Sequence, residues 1–267
     1  MASPAPIAII LAAGKGTRMA SDLPKVLHPI GGRPMVHAVV DACRVAGCGR
    51  VILVVGYKQD LVRAAFGGTA GVGGMGVEFA EQTEQLGTGH AVMCCKSLLT
   101  KEAAAPGQPV FVLAGDGPLI RPKTLRKLLQ RHTDANAAAS LATSVIDDPA
   151  GYGRIVRDAA GKLVGIVEHK ECSPDQLKIR EVNPSYYCFD TKALFDTLAN
   201  LKRNQTSGEY YITDVPAMLL SQKRTVEVID AVPAEDVLSI NTPAQLAEVD
   251  AIFRKRLLDA NASGGTR

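Results

Sequence analysis

Tryptophan is absent from this chain of 267 residues, and Phe and Tyr together make up only 4% of it. Proteins that bind single-stranded nucleic acid stack bases on aromatic rings set among basic side chains, and that platform is missing. The net charge of +3 is small and spread along the sequence. It suits anionic small ligands better than a nucleic-acid duplex, so no nucleic-acid partner is expected. No apolar run approaches the roughly 20 residues of a membrane-spanning helix. The start, Met1-Ala2-Ser3-Pro4-Ala5-Pro6, has neither a charged n-region nor a long apolar stretch. A cytoplasmic protein with no membrane partner is expected.

The six cysteines, Cys43, Cys48, Cys94, Cys95, Cys172 and Cys188, have no metal-site spacing. Cys94-Cys95 is a vicinal pair, not C-x-x-C, and reduced, mostly buried thiols are expected. His90, His132 and His169 have no partner at triad or metal spacing, so Ser-His-Asp chemistry lacks support. No internal repeat is visible.

What the chain does have is concentrated near its start. Ile7-Ala8-Ile9-Ile10-Leu11 is apolar without alternation, which suits a strand buried on both faces. It runs into Ala12-Ala13-Gly14-Lys15-Gly16-Thr17-Arg18-Met19, followed by Leu23-Pro24-Lys25. Glycines let backbone N–H groups approach phosphate oxygens, and Lys and Arg supply charge. The loop fails the Walker A spacing. It also fails the dinucleotide fingerprint G-x-G-x-x-G, because Met19 stands at the third glycine.

Downstream, the pattern predicts a helix over 34–46, a strand over 51–55, a helix over 60–66 and a strand over 77–80. Gly67 to Gly76 reads as a mobile surface turn. A polar loop over 81–89 enters a helix at about His90. A strand over 110–113 ends at Ala114-Gly115-Asp116-Gly117-Pro118, and a helix spans 122–132. Alternating strands and helices imply crossovers and a parallel sheet covered on both faces. The second half is richer in β. It predicts a strand over 138–143, a hairpin over 151–168 turning at Gly161, a strand over 181–190 and a helix over 192–201. A helix over 210–221, a strand over 225–230 and a helix over 242–258 follow. One domain over 1–260 is expected, with halves at about 1–135 and 136–260, and a disordered tail over 261–267.

Ligands of parallel sheets sit beyond the carboxyl ends of the strands. The residues falling there are Gly14 to Lys25, Glu81 to Thr88, Asp116, Glu168, Asn183 and Asn241. Asp116 is either a turn residue or a Mg²⁺ ligand, since hard cations take carboxylate oxygen beside substrate phosphates. Asn241 and Thr242 precede Pro243, so one of them caps the last helix or Asn241 offers an amide oxygen to the same metal. The amides of Gln82 and Gln85 can donate and accept at once, which matches a pyrimidine edge. Glu168 and Asn183 could take sugar hydroxyls.

These segments resemble a known family. Leu11-Ala12-Ala13-Gly14-Lys15-Gly16-Thr17-Arg18-Met19 with Leu23-Pro24-Lys25-Val26-Leu27 resembles the signature of the sugar nucleotidyltransferases. Glu84-Gln85-Leu86-Gly87-Thr88-Gly89-His90-Ala91 adds to the resemblance, as do Gly151-Tyr152-Gly153-Arg154-Ile155, Ile166-Val167-Glu168-His169-Lys170 and Gly208-Glu209-Tyr210-Tyr211-Ile212-Thr213-Asp214. Together they are similar to the uridylyltransferase half of the bifunctional bacterial N-acetylglucosamine-1-phosphate uridylyltransferases.

The resemblance implies an α/β, Rossmann-like three-layer fold with a mixed, mostly parallel sheet, a nucleotide-binding first half and a sugar-binding second half. It implies UTP and N-acetylglucosamine-1-phosphate as substrates, UDP-N-acetylglucosamine and pyrophosphate as products, and Mg²⁺ as cofactor. It places Leu11, Ala12, Ala13, Gly14 and Gln82 on the uracil, Gly87 and Thr88 beside the base, and Arg18 and Lys25 on the triphosphate and transition state. Ala114 and Gly115 fall beside the nucleotide, and Asp116 and Asn241 on the metal. Gly153, Glu168 and Asn183 fall on the amino sugar, with Tyr211 and Thr213 near its phosphate or acetamido group. The family often carries bulkier residues at Ala114 and Gly117, which implies a looser base or ribose pocket here. Lacking a hexapeptide repeat, the chain is not expected to transfer acetyl groups or to trimerise through a β-helix; a monomer or dimer is expected. Another sugar phosphate or nucleotide, such as glucose-1-phosphate or dTTP, and a catalytically silent sensor are the alternatives.

Overall fold

The computed structural model describes residues 4–67 and 76–264. Its frame is a nine-stranded sheet. The strands β1 (Ile7–Leu11), β2 (Arg50–Val55), β3 (Val77–Glu81) and β4 (Pro109–Ala114) lie parallel in the order β4-β1-β2-β3. Leu11 pairs with Val54 on one side and Ala114 on the other, so the carboxyl ends of β1, β2 and β4 are level. The loops that follow them open on one edge.

The second half continues the same sheet with β5 (Ala139–Val145), β6 (Gly153–Arg157), β7 (Leu163–Val167), β8 (Glu181–Asp190) and β9 (Val226–Asp230). In the principal row, β8 alone runs against its neighbours, between β4 and β5, and β9 lies parallel to β5 at the edge. The hairpin β6–β7 hangs from the start of β8. Between Val182 and Tyr186 the register slips, and Ser185 adopts a φ of 63°. Pro184 has no N–H to give the ladder, so the strand bulges there. The bulge brings Asn183 to Ser185 beside the loop after β4.

Side chains alternate along β1 between two cores. Ala8 and Ile10 join Val36, Val39 and Val40 of α1 (Met35–Ala46) and Leu125 and Leu128 of α4 (Pro122–Asp134). Ile7 and Ile9 join the opposite cluster. That cluster includes Ala91 and Val92 of α3 (Thr88–Met93), Leu194 of α5 (Thr191–Leu198) and Leu219 of α6 (Val215–Ser221). Both faces are therefore covered, as the unbroken apolar run requires. The short α2 (Gln59–Ala64) follows β2. The last helix, α7 (Pro243–Gly264), packs Val249 and Phe253 against Ile30, Met35 and Ile240.

The helix expected to begin at Tyr210 begins at Val215, after a short turn over Ile212–Asp214. The Tyr210 N–H donates to Leu86 O (2.8 Å), and its carbonyl accepts from Gly89 N (2.7 Å), so its backbone is already committed to a loop. The tail expected from Asn261 is helical to Gly264, because α7 does not stop at Leu258; residues 265–267 lie outside the described residues. The glycine-rich turn expected over 67–76 falls on 68–75, also outside them.

After β9 the chain is pinned by one carboxylate. Asp236 is 1% exposed. It accepts from Arg121 (Nε at 2.5 Å, Nη2 at 2.8 Å) ahead of α4, and from Arg256 Nη2 of α7 at 2.5 Å. Its carbonyl takes the Tyr186 hydroxyl at 3.0 Å. Both arginines are partly exposed, which places the cost of breaking this cluster at the low end for a buried pair. Asp236→Ala should destabilise the fold by about 3 kcal/mol, read as a lower urea midpoint. An unchanged midpoint would show that the clamp does not hold this segment.

Candidate active site

β1 ends at Leu11, and the next residues stay tied to β2. Ala12 N donates to Val54 O at 2.9 Å, and Ala13 O accepts from Tyr57 N at 3.1 Å. The chain then turns through Gly16, with φ of 71°. A Cβ there would lie 2.7 Å from Lys25 Cβ, so glycine lets the Lys25 stem fold across the loop. Met19, where a dinucleotide loop has its third glycine, is buried with Met35, Leu119 and Ile240 and anchors the loop.

Lys25, Asp116 and Asn241 converge. Lys25 Nζ ion-pairs with Asp116 Oδ2 and donates to Asn241 Oδ1 at 2.6 Å. Arg18 Nη2 donates to the same amide oxygen at 2.8 Å. The backbone holds the arrangement, since Ile240 N donates to Asp116 O at 3.0 Å. Thr242, not Asn241, caps α7: its hydroxyl accepts from Gln245 N at 3.2 Å. Gln245 Oε1 in turn accepts from Asn241 N at 2.9 Å, which leaves Asn241 Oδ1 facing the two cations. Among the described residues, no group of three or more His, Cys, Asp or Glu is placed to hold a metal ion. The donor set is instead one carboxylate and one amide, both hard oxygens, and both already meet on a single cationic nitrogen. That arrangement fits a divalent cation whose other ligands come from phosphate.

Two cavities meet at this point. One, of about 840 Å³, is lined by Gly14, Gly16, Arg18, Lys25, Gln82 and Asn241, with Lys15, Tyr57 and Gln85 at its wall. The other, of about 310 Å³, is lined by Arg18, Ala114, Asp116, Gly153, Glu168, Asn183 and Asn241. A smaller space of about 210 Å³ touches Leu11, Ala12, Thr88, Ala114 and Asp116. Arg18 and Asn241 belong to both larger cavities. Ala13, Gly87, Gly115, Tyr211 and Thr213 line none of the three. Gly115 acts by its size, for a Cβ there would lie 2.7 Å from Leu11 O. Gly117 faces the Glu168 cavity, where a Cβ would be 3.6 Å from the Tyr186 hydroxyl. Extra room at that position therefore opens into the Glu168 cavity rather than into the cavity of the glycine-rich loop.

Several polar side chains spend part of their capacity inside the protein. Gln82 Nε2 donates to Gly87 O (3.0 Å) and lies 3.2 Å from His90 Nδ1, so the donor half expected for a pyrimidine edge is engaged. Gln85 Nε2 donates to Ala13 O at 3.2 Å. Gly87 has φ of 97°, and a Cβ on it would stand 2.6 Å from Tyr210 O. Thr88 Oγ1 accepts from Ile212 N at 3.0 Å. Asn183 donates to the Tyr187 hydroxyl (2.5 Å) and accepts from Ser185 N (3.1 Å). Thr213 donates to Glu168 Oε1 at 2.9 Å.

Tyr152, Ser239 and Gln245 also line the Glu168 cavity and were not expected as site residues. The Tyr152 hydroxyl donates to Val237 O at 3.1 Å and accepts from Ser239 N at 3.4 Å, tying the β5–β6 loop to the Asn241 segment. Gln245 had a visible signal, its spacing four residues beyond Asn241 at a helix start. Tyr152 had none beyond its place in the Gly-Tyr-Gly motif.

Residues 8–212 match the model of the MobA-like NTP transferase domain. The chain belongs to this family. It is 41% identical over 259 residues to the bifunctional protein GlmU of Geotalea daltonii, covering 97% of this chain and 55% of that protein. It is 42% identical over 258 residues to GlmU of a Geobacillus species, covering 97% of this chain and 54% of that protein. The chain thus spans about half the length of the curated relatives it matches. A UDP-glucose pyrophosphorylase solved with UDP-glucose superposes with a TM-score of 0.73 at 18% identity, covering 95% of this chain and all of that one. A Bacillus anthracis structure described as a putative glucose-1-phosphate thymidylyltransferase superposes at 0.74 and 22% identity, covering 93% and 95%. These two likenesses establish the fold, a mixed and mostly parallel sheet between helical layers.

Burial pushes the Glu168 carboxyl above the usual carboxylate range, helped by Asp214, Glu209 and Glu171; the Thr213 hydroxyl opposes the rise. Thr213→Val removes that opposition, so Glu168 should titrate at still higher pH. Carbon-detected NMR of the labelled side chain reads the shift, and a lower titration midpoint in the variant would contradict the assignment.

Proposed function

We propose that the chain transfers uridylyl from UTP to N-acetylglucosamine-1-phosphate, releasing pyrophosphate. The observation that carries this reading is the meeting of a phosphate-loop cavity and a polar second cavity at Arg18, Lys25, Asp116 and Asn241. The GlmU relatives, at about two-fifths identity across nearly the whole chain, support a nucleotidyltransferase, and the resemblance of the sequence motifs to N-acetylglucosamine-1-phosphate uridylyltransferases supports the choice of nucleotide and sugar.

Sugar phosphates have a second pKa of about 6, so the nucleophile is largely dianionic at neutral pH and needs no general base. Its oxygen attacks the α-phosphorus, a new P–O bond forms, and the bond to the bridging oxygen of pyrophosphate breaks with that oxygen taking the electron pair. The difficulty is to bring two anions together, which calls for positioning and positive charge rather than proton transfer. The Gly14–Arg18 loop and Lys25 face the nucleotide, and Arg18 spans the boundary between the cavities. Glu168 and Asn183 present acceptors and donors to sugar hydroxyls, with Thr213 and Tyr187 fixing their orientation. Asp116 and Asn241 would hold Mg²⁺. When bound, Mg²⁺ supplies charge to the phosphates and the leaving group.

Pyrophosphate release across a panel of sugar-1-phosphates and nucleoside triphosphates tests the reading. UTP with N-acetylglucosamine-1-phosphate should give the highest kcat/KM. A preference for glucose-1-phosphate or dTTP would move the assignment within the class, and binding of UDP-sugar without pyrophosphate release would make the chain a sensor. Arg18→Ala and Lys25→Ala should each lower kcat by roughly 10²-fold or more, the scale for loss of one preorganised donor. Near-normal rates from either variant would remove it from the catalytic set.

A further inference from the structure

The Lys25 ammonium occupies the point on which both candidate metal oxygens converge. It pairs with Asp116 Oδ2 and takes Asn241 Oδ1 at 2.6 Å. The Lys25 and Asp116 side chains are 14% and 22% exposed, so solvent screens the pair only in part. A divalent cation on the same oxygens and an ammonium between them would repel strongly at contact distance. We propose that Lys25 is the resident cation of the nucleotide-free site, and that a divalent metal can enter only as Lys25 swings out. The proposal rests on the reading of Asp116 and Asn241 as metal ligands.

The direction of the swing follows from how the side chain is held. A Cβ on Gly16 would meet Lys25 Cβ, Cγ and Cδ at 2.7, 3.0 and 3.2 Å, so the stem lies against the phosphate loop. Gly14, Gly16, Arg18 and Lys25 share one cavity wall. An ammonium leaving Asp116 therefore moves toward the space where a triphosphate would lie. That exchange is favourable when phosphate oxygens replace the carboxylate and unfavourable when they do not. Free metal and Lys25 compete for one pair of oxygens, whereas metal and nucleotide together satisfy every charge.

The test measures binding of Mn²⁺ alone to the nucleotide-free protein, by the paramagnetic resonance signal of unbound Mn²⁺. Lys25→Met keeps most of the stem and removes the charge. It should bind Mn²⁺ tighter than the wild type, on the order of ten-fold. Lys25→Arg keeps the charge and should show no gain. Lys25→Met combined with Asp116→Asn should lose the gain, because the carboxylate is the shared ligand. Equal or weaker Mn²⁺ binding by Lys25→Met overturns the proposal, as does a gain that survives loss of the Asp116 carboxylate. Transferase activity is not part of the readout. A chain that shows the exchange but transfers no nucleotide would overturn the proposed function and leave this inference standing.

Discussion

One ammonium closes the site. Lys25 meets Asp116 and Asn241, which lie 91 and 216 positions away in sequence. The three residues come from the loop after β1, the loop after β4 and the segment before α7. A partly buried carboxylate gains from a cationic partner, and a partly buried lysine gains from oxygen that replaces lost solvation. Each residue supplies what another needs, so the loops have a reason to adopt this arrangement without substrate. The same arrangement fixes where the two large cavities touch.

The sheet makes that closure possible. Level carboxyl ends of β1 and β4 put the phosphate loop beside Asp116, and Gly115 permits the approach because a side chain would strike Leu11 O. The antiparallel insertion of β8 does the rest. By running against β4, it presents the start of the strand, not its end, to the ligand edge. The Pro184 bulge lies there, and the β6–β7 hairpin hangs from the same end. The second half thus contributes a wall to a site whose floor belongs to the first half. The Asp236 clamp then holds the returning chain so that Asn241 reaches across.

Much of this order was legible in local patterns. Ile7 to Leu11 and Val51 to Val55 read as buried strands because every position is apolar, and the two cores on opposite faces bear this out. Boundaries failed where the backbone serves a distant partner. Tyr210 looks helical by spacing, yet its N–H and C=O are taken by Leu86 and Gly89. The site was legible as residue types at strand ends. The resemblance, rather than any spacing, linked Lys25 to Asp116 and Asn241. Partner choice was not legible at all. Gln82 reads as an amide for a pyrimidine edge and Asn183 as a partner for sugar hydroxyls, and the fold engages the donor half of Gln82 and one of the two amide donors of Asn183 internally. Sequence shows a side chain's capacity, but only packing shows how much of it remains.

That Asn241 is an amide and not a carboxylate matters to the whole arrangement. Its oxygen accepts from both Lys25 and Arg18. Charged acceptors hold cations about twice as strongly as neutral ones. A second carboxylate would therefore tie both basic side chains to the protein and compete with substrate phosphate for them. Among the described residues, Asp116 is the carboxylate paired with Lys25, and the side-chain hydrogen bond of Arg18 goes to the neutral Asn241 oxygen. Arg18 can then turn toward an incoming anion at small cost, and it already lines both cavities. The proposed transfer brings two anions to this junction, and cations held firmly enough to be ordered and loosely enough to be given up serve it.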